Sequence, residues 1–181
     1  MASNDQEEKS FQVGDMLVSP KGIFEIVKKK KKKNIEGEKI EYFFLEPRYG
    51  RRKDSLRVSF PVDNIDQIKM RKAVTEEKLE ELFGEFKEEL DIENLAGTMQ
   101  LRKMANSNDP SELVEVLKSV YIYKHILDRS STSKNKVFKR ALRQLSQEIS
   151  CVTGKSIRKA KKKIRDILKK NIKPKEKEEQ K

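Results

Sequence analysis

The chain has no tryptophan, one cysteine, one histidine, five prolines and seven glycines in 181 residues. A lone cysteine, Cys151, excludes an internal disulfide and any cysteine zinc cluster. The lone histidine, His125, leaves few options for a metal site or a His-based catalytic centre, and neither residue has partners at catalytic or metal-ligand spacing. Carboxylates abound, yet none stands in the isolated apolar setting that marks a general acid. Gly154-Lys155-Ser156 resembles the end of a phosphate-binding loop, but Ile149 stands where that loop needs its first glycine. The chain therefore reads as a non-enzyme with no cofactor, no metal and no small-molecule substrate. No apolar run approaches the roughly 18 residues of a membrane span, so no membrane partner is expected. Residues 1–8 lack the basic and apolar regions of a secretory signal. A reducing cytoplasmic setting, nucleoid-associated, and a monomeric state are the expectations.

What the chain does have is charge, at 40% of residues with a net of +12. The charge is unevenly spread. Residues 1–74 hold 17 Lys/Arg against 12 Asp/Glu, residues 75–133 hold 7 against 13, and residues 134–181 hold 18 against 5. A chain acidic in its middle and strongly basic at one end meets two kinds of surface, and the basic end suits a polyanion, most simply nucleic acid.

Periodicity divides the chain at about residue 73. Residues 1–10 are polar and read as disordered. Residues 11–72 alternate short apolar runs with turn residues, predicting strands near Met16–Val18, Ile23–Lys29, Glu38–Leu45, Ser55–Phe60 and Asp66–Lys69. Five short strands in sixty residues predict a five-stranded SH3-like or Tudor-like barrel. Residues 75–170 read as helical. Thr75 and Asp109-Pro110 are helix starts, and Ser130–Ser133 supplies another cap. Leu79, Leu82, Phe83, Phe86 and Leu90 form one apolar stripe; Leu113, Leu117, Val120, Tyr121 and Leu127 form a second. Leu95–Ala105 is a weaker helix. Val137, Ala141, Leu142, Leu145 and Ile149 form another stripe, and Ile157, Ala160, Ile164 and Leu168 a last one beyond Gly154. The expected class is α+β, a small β-barrel followed by an all-α bundle of four or five helices, with residues 171–181 a charged tail.

Several segments together resemble the CarD/CdnL family of bacterial transcription regulators, whose barrel is shared with the polymerase-interacting domain of transcription-repair coupling factor. The likeness covers roughly residues 11–150. It is carried by Val13-Gly14-Asp15 with Val18, Pro20 and Gly22, by Gly37-Glu38 with Glu41-Tyr42 and Leu45, and by Val58, Pro61 and Asn64. In the helical part it is carried by Val114–Leu117 with Tyr121, and by Lys139-Arg140-Ala141 with Gln144-Leu145 and Glu148. The resemblance implies a barrel that docks on the RNA polymerase β subunit and a helical domain that contacts promoter DNA and modulates open-complex stability. By position it implies polymerase contact by Lys33. The family's second arginine falls on Ser59, with Arg57 on the same side by strand alternation. The family tryptophan has no counterpart; Glu93 to Leu95 offer only an aliphatic side chain.

The lysine run Lys28 to Lys33 has three readings: contact with acidic polymerase surface, in which Lys28 and Lys30 join Lys33; contact with DNA phosphate; or protection of an exposed β edge. The basic end reads as a phosphate-backbone surface for double-stranded DNA. Its candidate contacts are Lys134, Lys136, Lys139, Arg140 and Arg143, then Lys155, Arg158, Lys159, Lys162 and Lys163. The alternative is a solvated face. At the level of function, the alternatives are a sequence-independent nucleoid-type protein and an RNA- or ribosome-associated factor.

Overall fold

A computed structural model describes residues 11–50, 58–67 and 69–172, with the backbone alone for 65–67. Two compact units meet in sequence between Ala73 and Val74.

The first unit is an open, wholly antiparallel five-stranded sheet of β1 (Met16–Ser19), β2 (Gly22–Lys33), β3 (Lys39–Pro47), β4 (Val58–Pro61) and β5 (Arg71–Lys72), in the order β4-β3-β2-β1-β5. Strands β1 to β4 follow one another as a meander, with β5 returning beside β1, and the β1–β2 and β2–β3 connections carry turn chemistry. Between β1 and β2, the Ser19 hydroxyl donates to the Gly22 carbonyl and accepts from the Lys21 amide. Between β2 and β3, Asn34 Oδ1 accepts the Glu38 amide at 2.8 Å, while Gly37 takes φ +85, which a side chain rarely tolerates. One face is apolar: Phe11, Leu17, Phe24, Ile26, Phe43, Leu45 and Phe60 form a small core, with Phe43 edge-on to Phe60 at 5.8 Å. Pro61 ends β4 without cost, because β4 is an edge strand and needs no donor on that side.

The strand expected at Asp66–Lys69 is not there. Residues Val62–Gln67 form a 3-10 turn, kinked at Asn64, and the last strand comes later at Arg71–Lys72. Asp63 and Asn64 favour local side chain–backbone turns over a ladder. Of the strand expected at Ser55–Phe60, residues 55–57 lie outside the described residues. The second and third strands are longer than their apolar cores suggest, because the lysines themselves are paired in the ladder.

The second unit holds α1 (Glu76–Glu85), α2 (Thr98–Ser107), α3 (Pro110–His125), α4 (Thr132–Thr153) and α5 (Ile157–Asn171). Caps set their starts: Thr75 accepts from the Lys78 amide, Asp109 from the Ser111 and Glu112 amides, Ser131 from the Lys134 amide and Ser156 from the Lys159 amide. α1 stops at Glu85, so Leu90 is not on its face; Gly84 weakens the last turn, and the Phe86 amide closes it on Leu82. The expected helix at Leu95–Ala105 begins instead at Thr98, after the Gly97 cap. All five helices feed one hydrophobic core, in which Leu101, Val116, Leu117, Ile164 and Leu168 are wholly buried. Burying a leucine or isoleucine side chain contributes about 1.5–3 kcal/mol, so this core dominates the unit's stability.

Candidate nucleic-acid interface

Helical periodicity sorts the basic residues of the C-terminal end. On α4 the core side carries Val137, Ala141, Leu145 and Ile149. Lys136, Lys139, Arg140 and Arg143 lie opposite, all in the first half of the helix. From Gln144 to Ser150 nearly every position is buried, and α4 offers no further basic surface there. Arg140 is half-buried, and its Nε is shielded from solvent with no hydrogen-bond partner.

Lys134 stands apart from that group. Its ammonium sits 3.6 Å from the centre of the Tyr123 ring and donates to the Arg129 carbonyl at 3.1 Å. A cation held by a ring and a carbonyl is a fastening of α4 to the end of α3, worth about 0.5–2 kcal/mol.

Gly154 (φ +67) caps α4 in the left-handed conformation and turns the chain into α5. The Ser150 hydroxyl donates to the Lys155 carbonyl at 2.6 Å, fixing the turn and leaving the Lys155 side chain exposed. On α5 only Ala160, Ile164 and Leu168 are fully buried. Around the remaining surface Arg158, Lys162, Arg165 and Lys169 recur at spacings of four, three and four residues, so they form one row about 16 Å long. All four are exposed. On the adjoining flank, Lys159, Lys162, Lys163 and Lys170 surround Asp166, which offsets part of their charge, so Lys162 belongs both to the row and to this group. The Lys163 ammonium is engaged as well, 3.5 Å from the centre of the Phe83 ring of α1.

The two acids in this basic stretch are unlike. Glu148 is wholly buried and accepts the Val74 amide at 3.0 Å, tying the chain entering α1 to the middle of α4. It fastens the fold and leaves the basic surface unopposed. Among the described residues, Asp166 meets the basic side chains of α5, on the flank that includes Lys162.

In the sheet unit, β2 and β3 run on past their neighbours as a two-stranded ribbon. β1 pairs only with residues 22–25 of β2, and β4 only with residues 42–45 of β3. A bulge at Val27, where Ile26 faces Leu45 and Lys28 faces Phe44, resets the alternation. Lys28 and Lys30, expected to act with Lys33, are therefore not brought together with it. Lys28, Lys30 and Lys32 pair with Phe44, Tyr42 and Ile40 on one face, while Lys29, Lys31 and Lys33 pair with Phe43, Glu41 and Lys39 on the other. Glu41 binds Lys29 at 2.7 Å and lies 3.9 Å from Lys31. The Lys29 hydrogen bond and the charges of both lysines hold its carboxyl below the usual range. Arg57, the other expected polymerase contact, lies outside the described residues.

Sequence reasoning missed a buried cation. Lys118 is 4% exposed and donates to the Glu85 carbonyl at 2.7 Å, capping the C-terminal end of α1. Burial pushes its ammonium below the ordinary lysine value, partly offset by Glu88, Glu115 and Glu85. Beside it opens a pocket of about 450 Å³, with Phe86, Leu90, Ile122 and Ile172 in its walls and four carboxylates from Glu88 to Glu93 among its lining groups. His125 is exposed and stacks on Tyr121 at 4.3 Å, and Cys151 is half-buried with its thiol in no disulfide. Among the described residues, no group of three or more His, Cys, Asp or Glu is arranged to hold a metal ion, and no helix is long and apolar enough to cross a membrane. No protein-family model matches this chain, and no curated protein matches it in sequence.

Proposed function

We propose that this protein is a transcription regulator that binds double-stranded promoter DNA through its basic helices and docks on the RNA polymerase β subunit through its sheet unit. The observation that carries the DNA half is the row Arg158, Lys162, Arg165 and Lys169, exposed and flanked by one carboxylate, Asp166 beside Lys162, with Lys136, Lys139 and Arg143 on α4 adding to the same end of the chain. Cations on a solvated helix face gain affinity by releasing condensed counterions, and they read backbone rather than base edges. The protein acts by binding energy alone: contacts made better with the open than with the closed promoter complex shift that equilibrium.

The polymerase half is supported by the CarD/CdnL resemblance and by the meander. With β1 between β2 and β5, the last strand folds back beside the first, as a five-stranded SH3- or Tudor-like barrel requires. The helical unit is read as the family's DNA-contacting bundle. Lys33 and Arg57 are the docking cations, with Lys28 and Lys30 as further candidates.

Co-purification of the full chain with the isolated β lobe tests the docking: wild type is retained at physiological salt, and Lys33→Glu with Arg57→Glu is not. Failure of the wild type to bind leaves a sequence-independent nucleoid-type protein. Tighter binding to structured RNA than to duplex DNA of equal length moves the reading to an RNA-associated factor.

A further inference from the structure

The outer face of the ribbon has a composition that edge protection alone does not require. Lysine and ring alternate across the two strands, starting at the root of the ribbon where β3 is still paired with β4: Lys30 faces Tyr42 and Lys28 faces Phe44, with Lys32 beyond them facing Ile40. The ammonium groups of Lys28 and Lys32 both lie over the Phe44 ring, at 5.0 and 4.7 Å, which puts the two lysines and the ring on one face. Tyr42 and Phe44 are half-exposed, and the three lysines are exposed. Carboxylates bound this strip without entering it, with Glu38 held by Asn34 at the tip and Glu46 at the base. A recess of about 270 Å³, lined by Val27, Lys28, Phe44, Glu46, Val58 and Ser59 among others, opens beside the Phe44 ring, with Glu46 on its rim. The opposite face carries Glu41 between Lys29 and Lys31 and offers no such strip.

We propose that this lysine–aromatic face of the ribbon binds single-stranded nucleic acid, with bases on Tyr42 and Phe44 and phosphates on Lys28, Lys30 and Lys32. The two rings stand about 7 Å apart along the strand, and base–aromatic stacking accepts any base because every base has a π-face. The lysines span about 13 Å, enough to follow a short run of backbone without reading sequence. Duplex DNA, whose bases are stacked inside, has nothing to offer the rings. The site is separate from the duplex-binding helices and does not use Lys33 or Arg57, though it shares Lys28 and Lys30 with the further docking candidates named above.

The test uses the full chain with fluorescein-labelled dT12, rU12 and a 12-base-pair duplex. Tyr42→Leu with Phe44→Leu, which keeps apolar bulk, is expected to weaken single-strand binding about tenfold and to leave duplex binding within twofold. Lys30→Glu changes an exposed side chain and separates loss of site from loss of fold. It is expected to weaken single-strand binding and to flatten its salt slope by about 0.7 for each phosphate the lysine neutralises. Photocrosslinking of a 5-iodouracil strand is expected to label the Tyr42 peptide, with dT12 and rU12 competing and telling DNA from RNA preference. Labelling confined to residues 134–170, unchanged binding by both variants, or an equal weakening for duplex overturns the proposal. So does a ribbon charge reversal that abolishes polymerase retention but not single-strand binding.

Discussion

The ribbon and α5 are both lysine runs in sequence, and they become different surfaces in the fold. In the ribbon, period-two alternation deals successive lysines to opposite faces. One face is neutralised at Glu41, and the other is left with rings. In α5, the 3.6-residue period separates a row of four exposed cations, of which only Lys162 adjoins Asp166, from a flank where Asp166 and Phe83 take up part of the charge. A count of lysines does not define an anionic-ligand surface; the backbone period decides which cations act together. The same net charge gives a backbone-tracking row on a helix and a stacking platform on a ribbon.

The largest effect expected on this comparison comes from the unequal cores beneath the two surfaces. Among the described residues, the main apolar cluster of the sheet unit holds seven buried side chains, and Phe43 is wholly enclosed in it. Phe43→Ala removes about 3–5 kcal/mol and is expected to melt the sheet unit. Leu117→Ala costs a similar amount in a core three times as populous and leaves that unit folded. Thermal unfolding followed by tyrosine near-UV signals, with proteolysis to separate the units, checks this. If both variants melt the chain as one cooperative transition, the two units are not energetically distinct.

Next comes the neutral face of the ribbon. Glu41→Gln releases Lys29 and Lys31, makes both faces cationic and is expected to steepen the salt dependence of single-strand binding by about 0.7 for each further phosphate neutralised. An unchanged slope means that Glu41 does not restrain those lysines in solution.

The smallest effect concerns Lys118. Its folded-state ammonium loses its proton below the ordinary value near 10.5, so between the folded and unfolded values the unfolded chain holds more protons. Stability is therefore expected to rise as pH climbs through that window toward 10.5, and this component disappears in Lys118→Met. Denaturant midpoints of the two proteins from pH 8 to 10.5 are the check; parallel curves contradict a buried, destabilised charge.

Much of the fold was legible because its signals are local. Thr75, Asp109-Pro110, Ser131 and Gly154 are caps that act within one turn, and each stands at a helix end. The apolar stripes identify the core residues for the same reason. What the sequence hid depends on partners far away in the chain. Glu148 looks like an acid on a basic surface, yet it is consumed by the Val74 amide 74 residues away. Lys134 and Lys163 read as simple surface cations, yet each also lies over a ring, Tyr123 and Phe83. The last strand starts later than the pattern suggests because the Asp63-Asn64 turn looks like a continuation of strand alternation. The two faces of the ribbon turn on a bulge at Val27 that no local propensity marks.

The most direct test of the account is the salt dependence of duplex binding by the full chain. Two variants are compared with wild type: Arg158, Lys162, Arg165 and Lys169 changed to Ala, and Lys159, Lys163 and Lys170 changed to Ala. The row variant is expected to lose about 3 to 4 from the slope of log affinity against log salt, at about 0.9 per phosphate neutralised, while the other variant loses clearly less. A row variant with the wild-type slope, or two variants with equal losses, contradicts the claim that the helix period sorts these cations into one nucleic-acid-binding row.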